Sequence, residues 1–143
     1  MSTVGTVVRD PGIVPLPVAA GAQTILRGHL VSFAPNAPAT AASVARIAQA
    51  TDKVYGVALS DADPDLLYVP IAIKGGYTVS MMPSPGQASL FLRGSLVYRD
   101  ITSNPGNVTT VATTNNLVGF CVSTGVDSLG NIEVAYLTDG VVA

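Results

Sequence analysis

Arg93-Gly94-Ser95-Leu96-Val97-Tyr98-Arg99-Asp100, then Asn104-Pro105-Gly106-Asn107, then Val108-Thr109-Thr110, is the stretch on which the fold turns. It reads strand, turn, strand: a β-branched and aromatic run, a Pro-Gly-Asn interruption, then a second such run. The alternation extends both ways along the chain. It predicts strands at Gln23 to Leu26, Leu30 to Phe33, Val44 to Ala48, Val54 to Leu59, Tyr68 to Ile73, Thr78 to Met81, Ala88 to Leu92, Leu96 to Arg99, Val108 to Thr110, Leu117 to Val122 and Ile132 to Leu137. Turn residues separate them, including Asn36-Ala37-Pro38, Gly75-Gly76, Pro83-Ser84-Pro85-Gly86 and Leu129-Gly130-Asn131. Short strands at that spacing predict an all-β sandwich or barrel. Ala39 to Ala50 is the one helical candidate, its alanines favouring helix, but Val44 to Gln49 alternates well enough to be read as an edge strand.

The same stretch has a partner earlier in the chain. Arg27-Gly28-His29-Leu30-Val31 matches Arg93-Gly94-Ser95-Leu96-Val97 at an offset of 66. Tyr55 to Ser60 resembles Val118 to Ser123 at an offset of 63, and Val69 to Gly76 aligns with Glu133 to Gly140 at 64. Three landmarks in one order predict a duplication of two β units, with halves at about 24–80 and 90–143. Glycine at Gly28 and Gly94 suits a sharp turn into a strand. Gly56 and Gly119, inside strand patterns, suit a bulge or a close approach of two backbones.

Composition limits what such a domain can do. Only 11% of the 143 residues are charged, mean hydropathy is +0.47, and net charge is −2. An ordinary domain carries roughly 25% charged residues, so this one exposes apolar and small polar side chains. Exposed apolar area usually marks protein contact surfaces. The seven basic residues (Arg9, Arg27, Arg46, Lys53, Lys74, Arg93, Arg99) are scattered singly, which gives nucleic-acid binding little electrostatic support. Apolar stretches are interrupted every few residues, so no spanning helix is expected, and Met1 to Asp10 lacks a secretory signal pattern. The absence of Trp and 6% aromatic content argue against the girdles of a transmembrane barrel. No membrane or nucleic-acid partner is expected.

Residues 1–20 read as an extended arm ahead of a β-domain at 21–143. Pro11, Pro15 and Pro17 remove backbone donors and cannot lie in a central strand. The apolar residues between and beside them, Ile13, Val14, Leu16 and Val18, are the candidate contacts to another protomer or to a protein partner. The arm lies in a groove of its own domain, in a neighbour's, or loosely at the surface.

The second half carries a family resemblance. Gly94 to Asp100, the Thr/Asn-rich Asn107 to Asn116, Leu117-Val118-Gly119-Phe120-Cys121-Val122 and Ile132 to Leu137 resemble the Gly-x-x-Val-Tyr, polar hairpin, Gly-led strand and final alternating strand of small tailed-phage head decoration proteins. Gly28-His29-Leu30-Val31 followed by Tyr55-Gly56-Val57-Ala58-Leu59 is similar to the opening of that family. Cys121 departs from it, standing where alanine is expected. The likeness covers roughly residues 20–138. It implies a virion protein, assembled in the host cytoplasm, that binds the outer surface of the head as an oligomer and cements major capsid protein subunits. A trimer is favoured and a dimer is the alternative. A receptor-binding or tail-fibre module is the rival reading.

Catalytic and metal chemistry find little purchase. His29 is the only histidine and Cys121 the only cysteine. No Gly-x-Ser-x-Gly or phosphate-loop pattern accompanies them, and no intrachain disulfide can form. Cys121, between Phe120 and Val122, reads as a small buried hydrophobe. Asp61, Asp63 and Asp65 alternate as in a calcium loop, but Leu66 and Ala72 occupy the positions where an EF-hand places Gly and Glu; a solvated turn is expected, with a weak Ca²⁺ site formed in an assembled lattice as the alternative. Met81 and Met82 are adaptable apolar groups that suit the core or a subunit contact, with the core favoured. No enzyme activity, cofactor or metal is expected.

Overall fold

The computed structural model describes residues 12–18, 24–34, 44–50, 52–62, 68–75, 77–112 and 116–138. Strands β1 (Ile13–Pro17), β2 (Leu30–Ala34), β3 (Val44–Ile47), β4 (Gly56–Ala58) and β5 (Tyr68–Ala72) form one sheet in the order β1-β5-β4-β2-β3. Strands β6 (Tyr77–Met81), β7 (Leu96–Arg99), β8 (Val108–Thr109), β9 (Leu117–Cys121) and β10 (Ile132–Tyr136) form a second in the order β6-β10-β9-β7-β8. All strand pairs are antiparallel. The chain is all-β, a small sandwich of two curled sheets, as the strand-and-turn pattern predicts.

The two sheets have one topology: in each unit the strands run first, fifth, fourth, second, third. A parallel bridge from Val18 to Ala45 brings the first strand of unit one round to its third, and Pro83 to Val108 does the same in unit two. The backbone bonds also repeat. Gly28 N–H donates to Ala58 O at 2.9 Å, and Gly94 N–H to Cys121 O at 2.7 Å; both glycines have positive φ, 96° and 91°. The predicted duplication is therefore present in the fold. Cys121 occupies the place of Ala58, so the residue that departs from the expected alanine still has an alanine counterpart in unit one.

The pairings adjust the sequence alignment. Val57 pairs with Ala72 and Phe120 with Ala135. The final strands therefore correspond at an offset of 63, one less than the residue match suggested. The side-chain period of two makes that single step decisive: it aligns buried Val69 with buried Ile132, whereas the earlier alignment set Val69 against exposed Glu133. The unit limits move as well. Tyr77–Met81 bonds to β10 and belongs to unit two, while Ile13–Pro17 bonds to β5 and belongs to unit one. The described part of the predicted arm is thus an edge strand of its own sheet, where Pro15 and Pro17 are tolerated.

Two predicted strands are not strands. Ala88–Leu90 is a 3-10 turn, and Thr24 to Leu26 is irregular. They stand at equivalent places, just before Gly28 and Gly94. Each loop delivers one plug, Ile25 or Phe91, and then bends, so its amides serve a turn rather than a ladder. Of the helical candidate, Val44–Ile47 is strand, as favoured; residues 39–43 lie outside the described set.

Each curled sheet has its own interior. In unit one Leu16, Ile25, Val31, Ala45, Ala58, Val69 and Ile71 form a buried cluster. Their counterparts Met81, Phe91, Val97, Val108, Cys121, Ile132 and Val134 are all buried in unit two. That second cluster continues into Leu30, Ala48, Val54, Val57 and Ala72, which lie outside the interior of unit one. The core of unit two is therefore continuous with the contact between the units.

Gly56 and Gly119 confirm the close approach read from the sequence. A Cβ at Gly56 would stand 2.5 Å from Ala72 O, and one at Gly119 would overlap Ala135 O. Gly56→Ala and Gly119→Ala are each expected to cost about 1–3 kcal/mol by forcing the backbones apart. Gly125→Ala, which meets no atom within 4 Å, is expected to stay within about 0.5 kcal/mol of wild type. Urea unfolding midpoints would check this.

Candidate interaction surface

The polar groups with the most elaborate geometry hold the fold together. Arg99, at the end of β7, is fully buried. Its guanidinium crosses from unit two to unit one and donates to Asp52 O at 2.8 Å and Gln49 O at 2.7 Å. Burial lowers its pKa, with Asp52 and then Tyr136 acting in the opposite sense. The loop it grips is closed by Arg46, whose Nε and Nη2 donate to the Asp52 carboxylate at 3.0 and 2.7 Å. Around this bolt, Asn131 Nδ2 donates to Arg27 O at 3.0 Å, and Met82 N–H to Gly28 O at 3.1 Å.

His29 and Asp100 are turn-builders in the same sense. His29 is buried, and its Nδ1 accepts the Leu26 amide at 3.0 Å. Ser95, its counterpart, accepts the Leu92 amide through Oγ at the same distance, 3.0 Å. Burial lowers the His29 pKa, and Asp61 opposes that shift. Asp100 lines an open cleft of about 260 Å³ with Ser84, Gln87, Thr102 and Asn116 among others. Its carboxylate accepts from Ser84 Oγ at 2.7 Å, from Thr102 N and Oγ1 at 2.9 and 3.0 Å, and from the Ser103 and Asn104 amides. Burial alone would raise its pKa; the hydrogen bonds from Ser84, Thr102 and Ser103 outweigh it and the net shift is downward. No histidine, cysteine or lysine lines the cleft.

The other singled-out residues are dispersed. Cys121 is buried in β9. Met81 is core. Asp61 accepts the Arg27 amide at 2.9 Å, while Asp63 and Asp65 lie outside the described residues. Among the described residues no three His, Cys, Asp or Glu side chains gather as a metal ion requires, and no helix is long and apolar enough to cross a membrane.

What the surface does offer is apolar area. Ile13 and Val14 are exposed on β1, as a contact role needs. Leu16 is instead part of the unit-one core, and Val18 packs partly buried against it; strand alternation puts Ile13 on the opposite face, while Val14 shares the face of Leu16 and is nonetheless exposed. Sequence reasoning missed the larger patch on unit two. Leu96 and Phe120 are cross-strand partners on its outer face, and Leu117 pairs with Tyr98 beside them. Leu92, Leu96, Val111, Leu117 and Phe120 are all exposed. Tyr68 and Ile73 are exposed on unit one. The available signal was strand parity: Leu96 and Phe120 alternate with the buried Val97 and Cys121.

No protein-family model matches the chain, and comparisons with curated proteins and with solved structures find no match.

Arg99→Ala leaves two carbonyls without their donor and a void between the units. It is expected to cost about 3 kcal/mol or more, and Arg99→Met less, since it fills the space without a buried charge; denaturant unfolding would measure both. Stability is also expected to fall on acidification in two stages. A lowered folded-state pKa means the unfolded chain takes up the proton first, so His29 contributes stability that starts to be lost below its ordinary value of 6.5, and Asp100 stability lost below 3.8. His29→Ser, which copies Ser95, is expected to fold and to flatten only the upper stage in melts recorded across pH.

Proposed function

We propose that this is a structural virion protein that decorates the outside of a tailed-phage head and cements major capsid protein subunits by surface contact. The observation that carries this reading is the set of exposed apolar strand faces on a β-domain with only 11% charged residues. The resemblance of its strand and glycine pattern to that of head decoration proteins supports it. So does the use of the most intricate polar groups, Arg99, Asp52 and Asp100, for internal bonding. In this reading the capsid contact includes the outer edge of β1, with Ile13 and Val14 at its exposed end.

The role of β1 in the first sheet determines how the contact can be tested. Removing residues 1–20 would take away an edge strand and the core residue Leu16, so point changes are the proper probe. Ile13→Asp is expected to keep the fold and lower occupancy on expanded heads at least several-fold, read by co-sedimentation and by cryo-electron microscopy of the shell. Leu16→Ala is expected instead to cost about 2–5 kcal/mol of stability. Full occupancy of Ile13→Asp would remove β1 from the contact. Density at the tail and none on the shell would favour a receptor-binding or fibre module.

A further inference from the structure

The two units share a topology, but their contact is not symmetric. Unit one presents its outer strand face, Leu30, Val57 and Ala72 with Ala48 and Val54 beside it. Val79 and Tyr136 of unit two belong to the same buried cluster, and Arg99 reaches in from the side. A contact between two different patches is heterologous. It leaves one patch of each kind unused, the outer face on unit two and the receiving surface on unit one.

Both unused patches are apolar and open. Leu30, Ala48, Val54 and Val57 are at most 2% exposed, while their counterparts Leu96, Val111, Leu117 and Phe120 are 37–55% exposed. On the receiving side, buried Val79 and Tyr136 correspond to Val14 and Ile73, each 40% exposed. The glycine turns show the same contrast. A Cβ at Gly28 would meet Asn131 Nδ2 and Met82 N of unit two, whereas one at Gly94 would meet nothing within 4 Å.

We propose that the chain self-associates head to tail, the outer face of unit two (Leu96, Val111, Leu117, Phe120) docking on the receiving surface of unit one (Val14, Ile73) of a second copy, in the manner of the contact within one chain. The occupant is a second copy because the chain already carries a fold that covers this face, in the orientation that leaves the complementary patch free. One position differs: Phe33 stands where Arg99 stands, so the contact between chains is apolar at the point where the internal one is bolted by a guanidinium. Repeated head to tail, such a contact closes into a ring or grows as a filament. Self-association requires no head, so it is tested without one; Val14 serves only one of the two contacts, and with a second copy docked on it the capsid edge of β1 rests on Ile13.

The test uses two variants of the full chain, Leu96→Asp/Phe120→Asp (face blocked) and Val14→Asp/Ile73→Asp (receiver blocked), with native mass spectrometry and light scattering as readouts. Wild type is expected to be oligomeric and each variant monomeric with an unchanged circular dichroism spectrum. An equimolar mixture of the variants is expected to give a one-to-one heterodimer, because each retains the patch the other lacks. Should a variant fail to fold, Phe120→Ser and Ile73→Ser serve the same purpose and are expected to shift the assembly midpoint at least tenfold. A monomeric wild type, or a mixture that stays monomeric, would overturn the proposal. So would a face that becomes protected from hydrogen exchange only on heads, which would assign it to the shell.

Discussion

The contact between the units sets the terms for the rest of the molecule. Leu30, Val57 and Ala72 lie on the outer side of the first sheet, where a single curled sheet would meet water. They are buried because the second unit covers them, and Arg99 fixes that cover to the backbone carbonyls of Gln49 and Asp52. A buried guanidinium is costly to desolvate. Here it is tolerated because carbonyl oxygens face it and Asp52, itself held by Arg46, lies close by. The geometry admits little slack, since the donor comes from one unit and both acceptors from the other.

Polarity elsewhere follows the same economy. Asp100 closes the 100–104 turn, Asp61 caps Arg27, and Gln87 Oε1 accepts from Thr109 and Thr110 at 3.1 and 2.9 Å. His29 and Ser95 accept the same amide in the two units with different chemistry. Shape is thus retained while titration behaviour differs. With so few charged residues, and several of those committed to loops, the strand faces are left to apolar side chains. This is the physical basis for reading the protein as one that works through contact with other proteins.

Much of this was legible in the chain. Leu96 to Arg99 and Tyr68 to Ile73 announce strands by β-branched and aromatic content, and Gly56 and Gly119 announce a close approach that the Ala72 and Ala135 carbonyls supply. The failures have physical causes. Ala88 to Leu92 has strand-like composition, but its amides turn around Gly94 and only Phe91 goes inward. Ile25 plays that part before Gly28. The one-residue slip in aligning the last strands arose because Gly76 was matched to Gly140 in sequence, and ladder pairing sets the strands themselves at an offset of 63. Leu16 was grouped with Ile13, Val14 and Val18 as a contact; strand parity sets Ile13 on the opposite face, whereas Val14 shares the face of Leu16 and differs from it only in what covers it.

The sequence by itself determined most of the strands, though not β1 or the irregular segments before Gly28 and Gly94, together with their turns and the repeat of two units, because these rest on local backbone preferences and side-chain period. Tertiary structure alone decided which equivalent residues are buried. Leu30 and Leu96 follow the same Arg-Gly landmark and start equivalent strands, yet one is covered and the other faces solvent. Their difference lies in what packs against them, a heterologous contact that local sequence does not encode.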